Sequence, residues 1–374
     1  MIRCTRCILP ETVPGIQFDD DGVCNFCLQY EKSFSDWNLV KERKKVEFTR
    51  LLETARKLKR PYDCLIPLSG GKDSTYVLYL CTRVYGLKCL AVTFENGYMS
   101  ERAKQNINRA LNSTKVDHLV YRMNHEDTAR LFKIFFTQTG EFCNACMRCI
   151  NFSIETGVKR FKIPLIIKGS GKRVQYVSQI TGISNSNSPF FFKRVLRVTE
   201  NQHRFHYLGK ARLGFEIYKI AYILQLPRTL LMRFFPQSIG IYDYIYHPYP
   251  EIIEIIKKEM NWQNPDDTFE HFDCALHSIP FYIDTLKIPG ITPHTFHNSG
   301  LIRQGLIFRA DALKIEKEKL KHNIPPIELE SLLKDFKLNI TEFEKYIKHT
   351  DPEIYIPIFE KLSRRIYHKL YYKK

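Results

Sequence analysis

The 374-residue sequence lacks an uninterrupted apolar run long enough to cross a bilayer, so it predicts no membrane-spanning segment. Residues 1–7 also lack the apolar core of a signal peptide, which favours a cytoplasmic location. In that reducing compartment, eleven cysteines are better interpreted as metal ligands or reactive thiols than as disulfides. Acidic residues are fewer than basic ones, 40 against 57, and the net charge of +17 favours anionic partners. Charge alone does not choose among nucleic acids, nucleotides, nucleotide-activated sugars and acidic proteins.

A glycine-rich stretch at 67–75, PLSGGKDST, stands between a short apolar run and an apolar helix-like pattern. This context predicts a strand, a tight turn and the start of a helix. Gly70 and Gly71 allow backbone N–H groups to converge, and the helix adds the positive end of its dipole, so we expect an anion there. Lys72 adds a positive charge, and hydroxyls come from Ser69, Ser74 and Thr75. A turn of this composition without a ligand is the alternative.

The stretch is not a Walker A loop, because its two glycines are adjacent and Lys72 follows them directly. Its sequence SGGKDS resembles the pyrophosphate loop of the PP-loop ATPases. The resemblance implies that ATP is cleaved between its α- and β-phosphates, that a substrate oxygen is adenylated, and that residues 69–74 hold the departing pyrophosphate. Asp73 is expected to act through Mg²⁺ or through the geometry of the loop, because a carboxylate beside a triphosphate needs a cation.

Strand-like and helix-like segments alternate from residue 64 onwards. Strands are predicted at 64–68, 89–94, 118–121 and 165–168, and helices at 74–84, 100–112 and 126–138. The alternation predicts an α/β fold, a parallel sheet with helices on both faces and the ligand at the carboxyl ends of the strands. The resemblance to PP-loop enzymes implies the same architecture, that of the adenine nucleotide α-hydrolase-like fold.

Two further turns are expected at that edge of the sheet. Phe94 and Asn96 belong to a turn after the second strand that suits adenosine binding, although a plain turn is the alternative. Gly169 opens a loop after the fourth strand, in which two glycines lie beside Lys168, Lys172 and Arg173. This loop either holds phosphates or is a mobile basic loop.

Two Cys-x-x-Cys pairs lie near the amino terminus, Cys4 with Cys7 and Cys24 with Cys27. Each pair can present two thiolates to one ion, and the two together complete a tetrahedral site. We predict structural Zn²⁺ here, because the segment is too short to hold a core of its own. Unligated thiols in a small hairpin are the alternative.

A second set of cysteines follows the third predicted helix, where we expect a loop. Cys143 and Cys146 can supply metal ligands together with the distant Cys274. The predicted metal is either an iron–sulfur cluster with one open iron or a second Zn²⁺. Candidates for a fourth zinc ligand are Cys149, His271 and His277. Buried unligated thiols are the alternative.

Changes of composition predict four regions: a zinc ribbon at 1–33, a nucleotide-binding α/β domain at 34–175, a helical, aromatic insertion and substrate region at 176–290, and a helical carboxyl-terminal region at 291–374.

The order of the motifs along the whole chain resembles the N-acetyl sugar amidotransferases. The motifs that carry this resemblance are the amino-terminal Cys-x-x-Cys pairs, SGGKDS at 69–74, the cysteines at 143–149, FEHFDC at 269–274, IRQG at 302–305 and RADA at 309–312. The resemblance implies a catalytic role for Lys72, Asp73 and the cysteines at 143, 146 and 274. It also implies that an acetamido group of a nucleotide-activated sugar is adenylated by ATP and converted to an amidine by ammonia, for lipopolysaccharide O-antigen and related glycans. Ammonia is expected from a separate glutaminase subunit through a cyclase-like barrel partner, because the chain has no obvious glutaminase region.

A PP-loop tRNA thiolation enzyme is the alternative, since such enzymes combine zinc knuckles, an SGGKDS loop and a three-cysteine site. Against it, the sequence has one complete zinc ribbon and no second ribbon near residue 374. The loop at 169–173 departs from the glutamate-containing turn of the sugar enzymes, which leaves the substrate open. A non-catalytic binding module does not need Lys72 and Asp73 beside the glycines.

Overall fold

A computed structural model of the chain describes residues 1–171, 188–199, 202–210, 227–245, 249–264, 273–292, 294–320 and 326–362. Lys172, Arg173 and His271, and with them most of the FEHFDC stretch, lie outside the described residues. No helix in the described part of the chain combines the length and apolarity needed to cross a bilayer.

Five parallel strands form one sheet in the order β3-β2-β1-β4-β5. The strands are β1 Cys64–Pro67, β2 Cys89–Glu95, β3 Asp117–Arg122, β4 Leu165–Lys168 and β5 Gln237–Gly240. The α/β fold with a parallel sheet is therefore confirmed. Because successive side chains of a strand point to opposite faces, Cys64 and Ile66 enter one apolar core and Leu65 enters another. Helices cover both faces, with α6 (Cys143–Phe161) over Leu65, α3 (Lys72–Tyr79) over Ile66, and α10 (Tyr249–Met260) packed on α3.

Helices occupy most of the remaining described chain. They are α1 Asn25–Phe34, α2 Trp37–Lys57, α3 Lys72–Tyr79, α4 Glu101–Thr114, α5 His125–Thr139, α6 Cys143–Phe161, α7 Pro189–Arg197, α8 Gln202–Phe205, α9 Arg228–Leu231, α10 Tyr249–Met260, α11 Ser278–Lys287, α12 Thr295–Arg303, α13 Arg309–Leu320, α14 Glu328–Phe336 and α15 Ile340–His349. A π-helical turn, Leu80–Val84, continues α3, and 3₁₀ turns lie at His206–Gly209, Ile241–Asp243 and Pro352–Tyr355. The predicted carboxyl-terminal helical region is confirmed by α12 to α15.

Two elements differ from the sequence-based expectation. Strand β5 lies within 176–290, for which only helices were expected, and it pairs in parallel with β4. The loop expected around Cys143 and Cys146 is wrong, because both residues lie in the first turns of α6. This helix packs on β1 and β2, so its first turns lie at the carboxyl edge of the sheet.

The amino-terminal segment forms a separate small core. Its four cysteines pack with Val13, Phe26 and Tyr30, and the same core takes in Ile288 and Ile291 from the turn after α11. The beginning of the chain is thus fixed to its carboxyl-terminal half.

Candidate active site and metal centre

The SGGKDS loop connects β1 to α3, as the sequence predicts. Gly70 has φ of +81°, and a β-carbon on it would lie 2.3 Å from the carbonyl oxygen of Ala103, so this position requires glycine. The indole N–H of Trp262 donates to the Gly70 carbonyl at 3.0 Å. Ser74 Oγ donates to the Gly71 carbonyl at 3.1 Å and accepts from the backbone N–H of Ser69 at 3.2 Å. The loop is therefore held in one shape by its own hydroxyls and by its neighbours.

Lys72 and Asp73 form the charged part of the loop. Lys72 is buried, and its Nζ lies 3.4 Å from Asp73 Oδ2. Tyr242, which follows β5, donates its hydroxyl to Asp73 Oδ1 at 2.5 Å. Strand β5, which the sequence did not predict, thus brings an aromatic hydroxyl to the loop.

Gly169 follows β4 and packs directly on the loop. A β-carbon on Gly169 would lie 2.7 Å from Asp73 Cβ and 2.8 Å from the Asp73 carbonyl carbon. Close packing alone therefore accounts for a glycine here, and phosphate binding by Gly169 stays a prediction.

The segment with Asp273 and Cys274 lies between the SGGKDS loop and the other cysteines of this edge. Asp273 Oδ2 would lie 3.8 Å from a β-carbon placed on Gly71, and the Asp273 carbonyl accepts from the backbone N–H of Ser100 at 3.2 Å. Cys274 forms an antiparallel bridge with Met99. The segment that contains Cys274 therefore lies beside the turn after β2, at the carboxyl edge of the sheet, where the SGGKDS loop also lies.

Asn96 links the cysteines that are distant in sequence. Its Nδ2 donates to Cys146 Sγ at 3.5 Å, and its side chain lies close enough to Cys274 to oppose the rise in the pKa of that thiol that burial causes. Its Oδ1 accepts from the backbone N–H of Tyr98 at 2.8 Å. The predicted adenosine contact of Asn96 stays a prediction, since the described contacts of its side chain are with thiols and its own turn. Phe94, the other residue of that prediction, packs against the same apolar core as Cys146 and Cys274.

Burial keeps these thiols protonated at neutral pH. It raises the pKa of Cys146 to about 12 and that of Cys274 to about 11. Burial also raises the pKa of Cys143 well above its usual value, and the carboxylate of Glu141 acts in the same direction. Without a bound cation, the three side chains are neutral thiols.

The four amino-terminal cysteines form a site that fits a metal ion. Their sulfur atoms all lie within 4.8 Å of one another and all four residues are buried. Cys4 and Cys27 are separated by 3.9 Å and Cys7 and Cys24 by 3.8 Å, close to the ~3.8 Å expected for sulfurs on a tetrahedral Zn²⁺ with 2.3 Å bonds. The geometry and the donor type both suit a metal held by four thiolates.

Among the described residues, this is the one group of three or more such donors gathered within that distance. Cys143, Cys146 and Cys274 share one edge and one apolar core but are not gathered as closely, and a metal there stays a prediction. Cys149 is buried in that core, and His277 lies in the turn before α11.

Three residues of the site escaped the sequence analysis. Asp273 had a signal, because it precedes Cys274 in a motif that was singled out. Tyr242 and Trp262 had none, because each reaches the loop from an element that is distant in sequence.

Comparisons with known proteins leave the family open. No protein-family model matches the chain. The uncharacterized protein MJ1599 of Methanocaldococcus jannaschii is 28% identical over 172 residues, which is 45% of this chain and 58% of that protein. The match thus spans less than two thirds of that relative. The U34-tRNA thiolase NcsA from Methanococcus maripaludis, solved with its [4Fe-4S] cluster, aligns over 88% of this chain and 91% of its own, at 15% identity and a TM-score of 0.33. A TM-score this low establishes no common fold.

Proposed function

We propose that this chain is an ATP-dependent enzyme of the PP-loop type, which cleaves ATP between the α- and β-phosphates and adenylates a substrate oxygen. The observation that carries the proposal is the position of the SGGKDS loop in the sheet. Strands β2 and β3 extend the sheet on one side of β1, while β4 and β5 extend it on the other. Ligands of such sheets bind at this reversal of strand order, at the carboxyl ends of the strands. The loop after β1 and Gly169 after β4 flank that point and touch each other.

Each charged residue of the loop has a role in this reaction. Lys72 stabilises the negative charge that develops on the pyrophosphate as the bond between the α-phosphorus and the bridging oxygen breaks. Asp73, held by the Tyr242 hydroxyl and by packing against Gly169, is positioned to hold Mg²⁺. The bound ion would neutralise phosphate charge. Asp273 is the second carboxylate beside the loop and is suited to the same ion.

For the acceptor we propose an acetamido group of a nucleotide-activated sugar, on the resemblance of the motif order to the N-acetyl sugar amidotransferases. The acetamido oxygen attacks the α-phosphorus and pyrophosphate leaves. Ammonia then adds to the activated carbon, the carbon–oxygen bond breaks, and AMP departs with that oxygen to leave an amidine. A separate glutaminase and a barrel partner would supply the ammonia, and Zn²⁺ would occupy the Cys4, Cys7, Cys24 and Cys27 site.

A tRNA thiolation enzyme is the second candidate, and one observation favours it. Asp273 lies beside the loop, and the adjacent Cys274 lies near Asn96, which donates to Cys146, so thiols and loop occupy one edge of the sheet. The net charge of +17 also suits a nucleic acid. In this case a cluster or a second Zn²⁺ at Cys143, Cys146 and Cys274 would hold the sulfur to be transferred.

Pyrophosphate and AMP release by the purified chain test both proposals. One assay contains ATP, a nucleotide-activated acetamido sugar and ammonium chloride, and the other contains ATP, unmodified tRNA and sulfide. Lys72→Ala should lower ATP cleavage by about 100-fold or more, because one charge contact to the leaving group is lost. Lys57→Ala is the control, since Lys57 is exposed at the end of α2.

The acceptor that stimulates cleavage identifies the reaction. Amidine formation from ammonium salts but not from glutamine supports the amidotransferase. ATP turnover by Lys72→Ala equal to that of the parent protein contradicts the PP-loop assignment.

A further inference from the structure

Two arginines from the carboxyl-terminal half surround the four-thiol site. Arg309, the first residue of α13, donates from Nη2 to the Cys4 carbonyl at 2.8 Å and from Nε to the Cys7 carbonyl at 2.8 Å. Arg303, the last residue of α12, points Nη1 at Cys27 Sγ at 3.9 Å. Both belong to motifs, IRQG and RADA, to which the proposed reaction gives no role.

The contacts of Arg303 indicate that its guanidinium has a thiolate, and not a neutral thiol, as its neighbour. Its guanidinium lies 5.9 Å from the centre of the Tyr30 ring, and its Nε is buried without a hydrogen-bond partner among the described residues. Burying an arginine this way is unfavourable beside a neutral thiol. Beside a metal thiolate the same contact becomes a charge-assisted hydrogen bond.

The charge of the site explains the need for such a cation. Four thiolates around a divalent ion leave a net charge of about −2, in a core that excludes water. Glu316, a buried carboxylate on α13, is already engaged: it pairs with Arg3 at 3.5 Å and accepts the hydroxyls of Thr292 and Thr295. Arg303, which points at Cys27 Sγ, is placed to balance part of the thiolate charge.

We propose that Arg303 is a positioning residue, which stabilises the metal-bound thiolates without touching the ion. Together with Arg309, it couples metal binding to the docking of α12 and α13 onto the amino-terminal segment. The inference rests on the proposed metal occupancy of the four-thiol site. Linkage is reciprocal, so an ion that strengthens the arginine contacts must itself be held more tightly because of them.

Metal affinity of the full-length protein tests the proposal. Zinc or cobalt is titrated in competition with a chromophoric chelator, for the parent chain and for Arg303→Gln, Arg303→Lys, Arg309→Gln and Lys317→Gln. Lys317 is the control, because it is exposed on α13, about two helical turns beyond Arg309. Arg303→Gln should weaken the affinity by about 10- to 100-fold, the usual loss when an outer-shell partner is removed. Arg303→Lys should recover part of it, and Lys317→Gln should not differ from the parent.

Two further readouts separate this role from a merely structural one. The thiolate-to-cobalt absorption of Arg303→Gln should keep its intensity at saturation, because the four ligands are unchanged. Tryptic cleavage after Arg303 and Arg309 should accelerate when the chelator removes the metal from the parent protein. If the parent binds no metal, the occupancy itself fails. If it binds metal and Arg303→Gln binds equally well, or if Lys317→Gln loses as much affinity, the role of Arg303 is refuted.

Discussion

The two groups of cysteines differ in how the chain assembles them. Cys4, Cys7, Cys24 and Cys27 come from one short segment, and each pair is fixed by Cys-x-x-Cys spacing. At the carboxyl edge, Cys146 and Cys274 lie in the same region only because α6 begins there and the segment beside Met99 passes there. Local spacing therefore determines the first group, while the second depends on the whole fold.

The charges around the two groups are also opposite. Arg303 points at the sulfur of Cys27 and Arg309 binds the carbonyls of Cys4 and Cys7, whereas Cys143 lies near the carboxylates of Glu141 and Asp284. Burial raises the pKa of Asp284 to about 7, and Glu141 adds to the effect. A neighbouring cation favours the thiolate form of a cysteine, and a neighbouring carboxylate disfavours it. The surroundings of the amino-terminal cysteines therefore suit metal-bound thiolates, while those of the carboxyl-edge cysteines suit neutral thiols.

The largest difference between the groups should appear on removing one ligand. We expect Cys24→Ser to abolish metal binding at the amino-terminal site and to lower the free energy of unfolding by about 3 kcal/mol or more, because a structural metal contributes directly to folding. Chelation of the parent protein should have a similar effect. Metal content and denaturant unfolding measure both. A variant that keeps its metal and its stability would contradict a four-thiolate centre.

Features that depend on local sequence were predicted correctly, and features that depend on the whole fold were missed. Strands β1, β2 and β4 were placed to within about one residue, because each is a buried apolar run between turns. The zinc-type group was predictable because its geometry is local. Strand β5 was missed because Gln237, Ser238 and Gly240 leave it one apolar side chain, Ile239. Its strand character comes from pairing with β4, which no local pattern reveals.

The candidate site divides likewise into local and long-range parts. The SGGKDS loop was predictable from its adjacent glycines and from its position between an apolar run and a helix-like pattern. Two contacts of this loop were not predictable: Tyr242 binds Asp73, and Trp262 binds Gly70. Both depend on the packing of segments that are far apart in sequence, and local sequence patterns do not reveal such packing. The proximity of Cys274 to Cys146 was expected as part of a shared metal site, whereas the position of Asn96 beside both thiols was not expected.

A smaller effect on stability is expected at the carboxyl edge. Cys146→Ser and Cys274→Ser should each lower the free energy of unfolding by about 1 kcal/mol and leave the metal content of the amino-terminal site unchanged. Their effect on activity separates the two proposed reactions. Thiolation should be lost in both variants, whereas amidine formation should persist, because none of its steps involves sulfur. This result would overturn the catalytic role that the resemblance to the sugar amidotransferases implies for these cysteines. Loss of amidine formation with normal ATP cleavage would give these thiols a part in handling ammonia.

The smallest effect is expected from pH, and it concerns the ionisation of single thiols. An unperturbed cysteine has a pKa of about 9, and each unit of increase lowers the thiolate fraction tenfold below that pH. With the pKa raised to about 12 for Cys146 and about 11 for Cys274, alkylation of these thiols by iodoacetamide should keep accelerating between pH 9 and 11. In the urea-unfolded chain the rate should level off near pH 9.

The sign of the linked stability follows from the same raised values. Protonated thiols are favoured in the folded state, so their contribution is complete below pH 9 and is lost as the pH rises towards 11 and 12. Cys146→Ala should remove the share of this loss that runs from about pH 9 to about pH 12, and Cys24→Ala should not. Peptide mapping after alkylation assigns each rate to its cysteine. A rate at Cys146 that levels off below pH 8 would show that the carboxyl edge stabilises a thiolate after all, and would make the two groups of cysteines alike in charge.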